Sequence, residues 1–158
     1  MPGLPRRVIE PLPAYYFHCH DQGSMIARLR LAKVGLCLFI GSAVFFGAIL
    51  ADPVVTLRTF LVVAGVFFVA TGAASLNSLQ ELALDSKMKR TKYRPLPTGQ
   101  LTSRQAGWQV LLLFLSGWIL LLIDAVDFRP AFMAGLAVVL YTGIYTPLKN
   151  ITVLAMIP

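Results

Sequence analysis

The chain of 158 residues is 57% hydrophobic and only 13% charged, with a mean hydropathy of +0.73. Soluble domains carry about 25% charged residues, so the composition excludes a soluble protein and predicts an all-α, polytopic membrane bundle. The net charge of +7 comes from 14 Lys and Arg against 7 Asp and Glu. These cations flank apolar runs, as topology signals do, so nucleic acid is not an expected partner.

Residues 1–27 are predicted to form a flexible cytosolic leader. They lack the apolar run of about 7–15 residues that a cleaved signal peptide contains. His18, Cys19 and His20 are adjacent, which is poor geometry for a metal or haem site, and we expect no ligand role for them. Cys37 is the other cysteine, so neither a disulfide framework nor a zinc pattern follows.

Four apolar runs are long enough to cross a membrane. We predict these spans at residues 34–51, 54–76, 105–123 and 130–145, and a fifth apolar segment begins at Ile151.

Two carboxylates, Asp124 and Asp127, follow the third span and suggest a second metal pair. We favour solvated charges, because Arg129 and Pro130 follow at once. The predicted order of spans also puts this pair on the opposite membrane surface from the polar stretch described next.

One polar stretch, residues 77–99, interrupts the apolar sequence after the second span. It begins with Asn77, Glu81 and Asp85, which on an α-helix are displaced by about 40° from one another and share one face. These oxygen ligands suit Mg²⁺, which shares its coordination shell with substrate phosphates. Five cations follow, at Lys87, Lys89, Arg90, Lys92 and Arg94. Arg and Lys bind phosphate oxygens directly, so the stretch predicts a metal-bridged diphosphate site.

The alternative is an ordinary interhelical loop whose cations only orient the protein in the membrane. Pro95 and Pro97 do end the helix and hold the following residues in a loop. The three acceptors argue against that alternative, because carboxylates at membrane depth are costly and usually functional.

Residues 77–96 follow the pattern N-x3-E-x3-D-x2-M-x-R-T-x2-R-P-L. This pattern resembles the first aspartate-rich motif of the intramembrane, UbiA-type aromatic prenyltransferases. It is most similar to that of the protohaem IX farnesyltransferases, also called haem O synthases. Tyr-Thr-Pro-x-Lys at residues 145–149 resembles a second element of the same family. The likeness covers residues 28–158, interpreted as the N-terminal part of a prenyltransferase membrane domain.

The resemblance implies Mg²⁺-dependent transfer of a farnesyl group from farnesyl diphosphate to the vinyl group of haem b, giving haem O. It implies that the catalytic, metal-binding residues are Asn77, Glu81 and Asp85. It also implies that the diphosphate oxygens are neutralised by cations at Arg90, Arg94 and Lys149.

One departure from the family pattern lies at the start of the first span. Family members commonly carry Lys-Pro-Arg where this chain has Lys33, Val34 and Gly35. Either Lys33 or Arg30 replaces the missing arginine at the diphosphate, or binding on this side is weaker. Tyr145 is expected to stabilise the allylic cation, because an aromatic face attracts cations.

The positions of the cations predict the orientation. With four spans and a cytoplasmic start, 12 of the 14 cations fall inside and two, Arg58 and Arg129, fall outside. The motif loop and Lys149 are then expected on the same, cytoplasmic, side of an inner or organelle membrane.

The family has a second aspartate-rich loop, which this sequence does not contain. We therefore expect the chain to be an N-terminal half, whether a fragment or one partner of a second subunit, and to be inactive alone. Two alternatives stay open: a UbiA-type enzyme for another acceptor, such as a quinone precursor or a chlorophyllide, and a non-catalytic membrane module.

Overall fold

A computed structural model of the chain describes residues 22–123 and 127–151. Within these ranges every regular element is helical. The elements are α1 (Gln22–Leu31), α2 (Val34–Ala51), α3 (Leu57–Gln80), α4 (Leu82–Asp85), α5 (Ser103–Leu122), α6 (Arg129–Val138), a π-helical segment (Val139–Tyr145) and α7 (Thr146–Ile151).

The four predicted spans are confirmed as helices long and apolar enough to cross a membrane. The first has the predicted bounds, Val34–Ala51, and the third differs by one or two residues at each end. The second continues four residues beyond its predicted end, so that Asn77 lies inside α3. The fourth is continuous from Arg129 to Lys149 through α6, the π segment and α7. The fifth apolar segment lies outside the described residues after Ile151.

Helix α3 is the centre of the bundle, because 39% of its apolar stretch is buried inside the protein, whereas only 11% of that of α2 is buried. It packs closely on α5 because both helices present glycine at the contact. A Cβ built at Gly65 would lie 2.7 Å from Cγ of Leu121, and one at Gly117 would lie 2.9 Å from the backbone nitrogen of Val69. Small residues of this kind let membrane helices approach without a hydrophobic driving force.

The loop after α4 is held by a small apolar core at the same end of the bundle. Ala27 and Leu31 of α1 pack with Leu96, Leu101 and Ala106. Helix α1 thus begins inside the stretch predicted as a flexible leader, since residues 22–27 are helical and Ala27 is 1% exposed. The rest of that leader, with His18, Cys19 and His20, lies outside the described residues.

Helix α5 begins with a capping box. The Thr102 hydroxyl accepts from the backbone N–H of Gln105 at 3.2 Å, and the Gln105 side chain accepts from the backbone N–H of Thr102 at 3.0 Å. Thr102 is therefore the N-cap residue of α5.

The cations predicted to lie outside do share one end of the bundle. Asp127 lies 3.6 Å from Arg58, at the start of α3, and 3.9 Å from Arg129. Glu81 follows the other end of this helix of 24 residues. Asp127 is therefore remote from the polar stretch, as predicted, while Asp124 lies outside the described residues.

Candidate functional site

The three predicted oxygen ligands line up at the end of α3, although the helix is not continuous. The α-helix stops at Gln80, and Glu81 has φ −88° and ψ 0° before α4 begins. The four-residue ladder nevertheless persists. The N–H of Glu81 donates to the carbonyl of Asn77 at 3.0 Å, and that of Asp85 donates to the carbonyl of Glu81 at 2.8 Å. All three side chains are buried, with Asn77, Glu81 and Asp85 3%, 5% and 4% exposed.

Arg94 joins the two carboxylates. Its Nη1 donates to Oδ2 of Asp85 at 2.6 Å and lies 3.7 Å from Oε2 of Glu81. The loop is fixed behind it, because the buried Thr91 hydroxyl donates to the carbonyl of Asp85 at 3.1 Å and Leu96 is buried. The arginine of the sequence motif therefore lies against its acidic residues.

The C-terminal helix brings a second cation to the same carboxylates. Lys149 Nζ donates to Oε1 of Glu81 at 2.9 Å, across 68 residues of sequence. One turn earlier, the Thr146 hydroxyl lies 2.9 Å from the side-chain amide of Asn77. The π-helical segment directly precedes this contact, and π turns are frequent at functional sites.

A cavity of about 400 Å³ opens beside these groups. Its lining includes Lys33, Asp85, Arg90 and Arg94, with apolar walls that include Leu31. Three of the four cations predicted to bind diphosphate therefore face one space, and the fourth, Lys149, lies on Glu81.

Lys33 reaches the cavity through an unusual turn between α1 and α2. Its φ of 48° and ψ of 44° are left-handed, a conformation that costs energy for a residue with a side chain. Burial lowers the pKa of Lys33, the charge of Arg94 lowers it further, and the charge of Glu81 partly offsets the change. Arg30 lines the same cavity, so both residues considered as substitutes for the missing arginine are present.

Tyr145 does not line this cavity. Its side chain is 52% exposed, and its ring stacks on that of Tyr141 at a centroid distance of 5.8 Å and an interplanar angle of 12°. Its role at an allylic cation stays a prediction.

The donor set fits a magnesium ion that is completed by substrate. Among the described residues there is no group of three or more His, Cys, Asp and Glu that could hold a metal. The cluster instead offers two carboxylates and one amide oxygen. This suits Mg²⁺, which commonly takes one or two protein carboxylates together with water and phosphate oxygens. Glu81 and Asp85 would hold the ion, with Asn77 as the third oxygen donor.

Comparison with known proteins identifies the family. The model of the UbiA prenyltransferase family matches residues 39–157, which is more than half of the chain. The chain belongs to the UbiA prenyltransferase family. The resemblance based on the motif is thereby confirmed. With four helices that are long and apolar enough to cross a membrane, the chain is an integral membrane protein.

Several similar proteins are named protohaem IX farnesyltransferase. That of Nitratidesulfovibrio vulgaris is 33% identical over 135 residues, covering 85% of this chain and 45% of its own. That of Geobacter sulfurreducens is 34% identical over 128 residues, covering 81% and 47%. The mitochondrial protein of Arabidopsis thaliana is 40% identical over 88 residues, covering 56% and 20%. The chain thus spans about half the length or less of these relatives. No solved structure matches it.

Sequence reasoning missed one residue of this site, Thr146. Thr146 lies within the Tyr-Thr-Pro-x-Lys element, but only the tyrosine and lysine were given roles. Its contact with Asn77 joins residues 69 apart. Its place three residues before Lys149 was the available signal, because residues three apart share a helix face.

Proposed function

We propose that this site transfers a farnesyl group from farnesyl diphosphate to the vinyl group of haem b, giving haem O. The single observation that carries the proposal is the convergence of two buried carboxylates with Lys33, Arg94 and Lys149 at one end of an apolar bundle. Family membership supports prenyl transfer, and the names of the similar proteins support this donor and acceptor.

The charges of the site suit a leaving diphosphate. Arg94 and Lys149 lie on the carboxylates, while Lys33 and Arg90 face the cavity. Mg²⁺, when bound, supplies the positive charge that stabilises the diphosphate as it leaves. Arg94 and Lys149 are then free to turn from the carboxylates to phosphate oxygens. Donors preorganised where negative charge develops are usually the largest single contribution to catalysis.

The proposed reaction breaks the allylic C–O bond of farnesyl diphosphate, and the electron pair leaves with the diphosphate. The terminal vinyl carbon of haem b then forms a new C–C bond to the farnesyl carbon. Water adds to the vinyl carbon next to the porphyrin ring and loses a proton, which gives the hydroxyl group of haem O. The chain's part is to bind the diphosphate and to keep the allylic cation among apolar walls, such as Leu31 and Leu96 of the cavity.

The orientation belongs to the same proposal. The polar end of the bundle carries the motif loop, α1 and Lys149, and the opposite end carries Arg58, Asp127 and Arg129. By the positive-inside rule, the end with more cations faces the cytoplasm. The diphosphate is then taken from the cytoplasmic side.

The test is binding of farnesyl thiodiphosphate, a non-hydrolysable analogue, to the chain in detergent. We expect binding to require Mg²⁺ and to weaken at least tenfold in Asp85→Asn, because a buried ligand of the ion loses its charge. Asp127→Asn is the matched control, since it removes a carboxylate at the opposite end. Binding that ignores both Mg²⁺ and Asp85→Asn would refute the proposal and favour a non-catalytic membrane module.

The acceptor is tested separately. With the farnesyl analogue and Mg²⁺ bound, haem b should bind and shift its Soret band, whereas a hydroxybenzoate or a chlorophyllide should not compete. Competition by either compound at equal concentration would assign the site to another aromatic acceptor.

A further inference from the structure

One buried hydroxyl group links the last helix to the motif. Thr146 is 1% exposed, and its Oγ1 lies 2.9 Å from a terminal atom of the Asn77 amide and 2.9 Å from the carbonyl oxygen of Tyr141. A threonine hydroxyl has one proton, so it donates to one partner at a time. If both neighbours are acceptors, one contact has no hydrogen. Both contacts carry a proton only if one of the two neighbours is a donor.

Only Asn77 can be that donor. The carbonyl oxygen of Tyr141 accepts and never donates. The Asn77 amide carries an NH₂ group and an oxygen of nearly the same shape, and the hydrogen-bond network decides which of them faces a neighbour. With the NH₂ group against Thr146, the amide donates to Oγ1 and the hydroxyl proton goes to Tyr141. Both contacts are then satisfied.

Three other buried hydroxyl groups have a single carbonyl acceptor, whereas Oγ1 of Thr71 lies 3.0 Å and 2.9 Å from two carbonyl oxygens. Ser75, Ser78 and Thr142 each donate to the carbonyl oxygen of the residue four positions earlier, at 2.7–3.0 Å. Back-bonding to the preceding turn is a common use of helical Ser and Thr. For Thr146 the acceptor is five residues earlier, because the preceding turn is a π-helix.

The second amide atom of Asn77 is not fully enclosed, although the residue as a whole is only 3% exposed. In residues 22–123 and 127–151, Oε1 of Gln109 is the one buried side-chain nitrogen or oxygen without a hydrogen-bond partner. The outer atom of the Asn77 amide therefore keeps some exposed surface, on the helix face that Asn77 shares with Glu81 and Asp85.

We infer that Thr146 is a positioning residue, which accepts a hydrogen bond from the Asn77 NH₂ group and thereby leaves Oδ1 of Asn77 as the outer atom, available to a divalent cation. With the opposite orientation, Asn77 would present NH₂ hydrogens and could not bind a cation. The role in cation binding rests on the proposed function, whereas the orientation of the amide does not.

The orientation can be measured directly. The chain has two asparagines, Asn77 and Asn150, so ¹⁵N-asparagine labelling gives two side-chain NH₂ signals, which Asn150→Asp assigns. We expect an Asn77 NH₂ proton to exchange with D₂O about tenfold faster in Thr146→Val than in the wild type. Thr146→Ser should restore the protection, because it keeps the hydroxyl.

Thr142→Val is the matched control. It removes a buried hydroxyl one turn earlier that donates to Val138, and it should leave the exchange of Asn77 unchanged. An unprotected Asn77 NH₂ group in the wild type, or a protected one that Thr146→Val does not affect, would overturn the inference.

The second measurement is magnesium affinity with farnesyl thiodiphosphate present. Groups that orient a metal ligand typically contribute 10–100-fold to affinity, so we expect about a tenfold loss in Thr146→Val and recovery in Thr146→Ser. Unchanged magnesium affinity in Thr146→Val would overturn the role in cation binding. If the wild type itself ignores Mg²⁺, the proposed function fails, and amide exchange still decides the orientation.

Discussion

Replacing Arg94 with glutamine should change magnesium affinity in opposite directions with and without diphosphate. In the structure, Arg94 lies on Asp85 at 2.6 Å and near Glu81 at 3.7 Å. It therefore competes with a cation for the same oxygens. Once diphosphate is bound, the same guanidinium is expected to lie on phosphate oxygens and to favour the complex.

The size of the effect follows from the contacts. A hydrogen bond to a charged group contributes about 1.5–3 kcal/mol. The Arg94 side chain is 34% exposed, and its contact to Glu81 is long, so solvent screening favours the lower value, about 1.5 kcal/mol. Since 1.4 kcal/mol is a factor of ten, Arg94→Gln should bind Mg²⁺ alone about tenfold more tightly. It should bind Mg²⁺ with the farnesyl analogue about tenfold more weakly.

Isothermal titration calorimetry with MgCl₂, with and without farnesyl thiodiphosphate, measures both affinities. Lys92→Gln is the control, because Lys92 is a cation of the same loop that does not line the cavity, and its Nζ lies 4.9 Å from the ring centroid of Tyr93. It should leave both affinities nearly unchanged. A loss of affinity for Mg²⁺ alone in Arg94→Gln would refute the competition argument.

Three further variants test the fold and the site. Gly117→Ala should lower the free energy of unfolding in detergent by about 1–3 kcal/mol, because its Cβ would lie 2.9 Å from the backbone of Val69. Gly107→Ala on the same helix is the control: its Cβ meets no atom within 4 Å, so it should raise the free energy of unfolding. Equal effects of the two variants would contradict this packing. Thr102→Ala should lower the free energy of unfolding by about 1 kcal/mol, because it removes the N-cap of α5. An unchanged melting curve would contradict this role of Thr102. Burial lowers the pKa of Lys33 from 10.5, so affinity for farnesyl thiodiphosphate should fall as the pH rises through that lowered value and the ammonium loses its proton. Lys33→Arg should keep the affinity to higher pH, and identical pH profiles would count against Lys33 as a phosphate ligand.

Hydropathy and residue spacing predicted the parts of the structure that depend on local sequence. The apolar run at Val34–Ala51 forms a helix with the predicted bounds, because a segment inside a lipid bilayer must be apolar and helical along its whole length. The four-residue spacing of Asn77, Glu81 and Asp85 predicted a shared face, which survives the break at Glu81 because the hydrogen-bond ladder continues.

The rest depends on contacts that no local pattern contains. Lys33 adopts a left-handed turn that sequence reasoning expects for Gly or Asn, so neither the turn nor its direction into the cavity was predictable. The predicted topology placed Lys149 on the same side of the membrane as the motif. Its pairing with Glu81 depends on how α7 packs, which the sequence does not show. The contact between Thr146 and Asn77 depends further on the π turn before Thr146, which has no sequence signal of its own.

The central claim is that one site binds a divalent cation and a prenyl diphosphate in contact with each other. Pulsed electron–nuclear double resonance on Mn²⁺, used in place of Mg²⁺ with farnesyl thiodiphosphate, tests it most directly. We predict ³¹P hyperfine coupling to Mn²⁺ bound by the wild-type chain, and its loss in Asp85→Asn. Bound Mn²⁺ without ³¹P coupling, or coupling that persists in Asp85→Asn, would contradict the account.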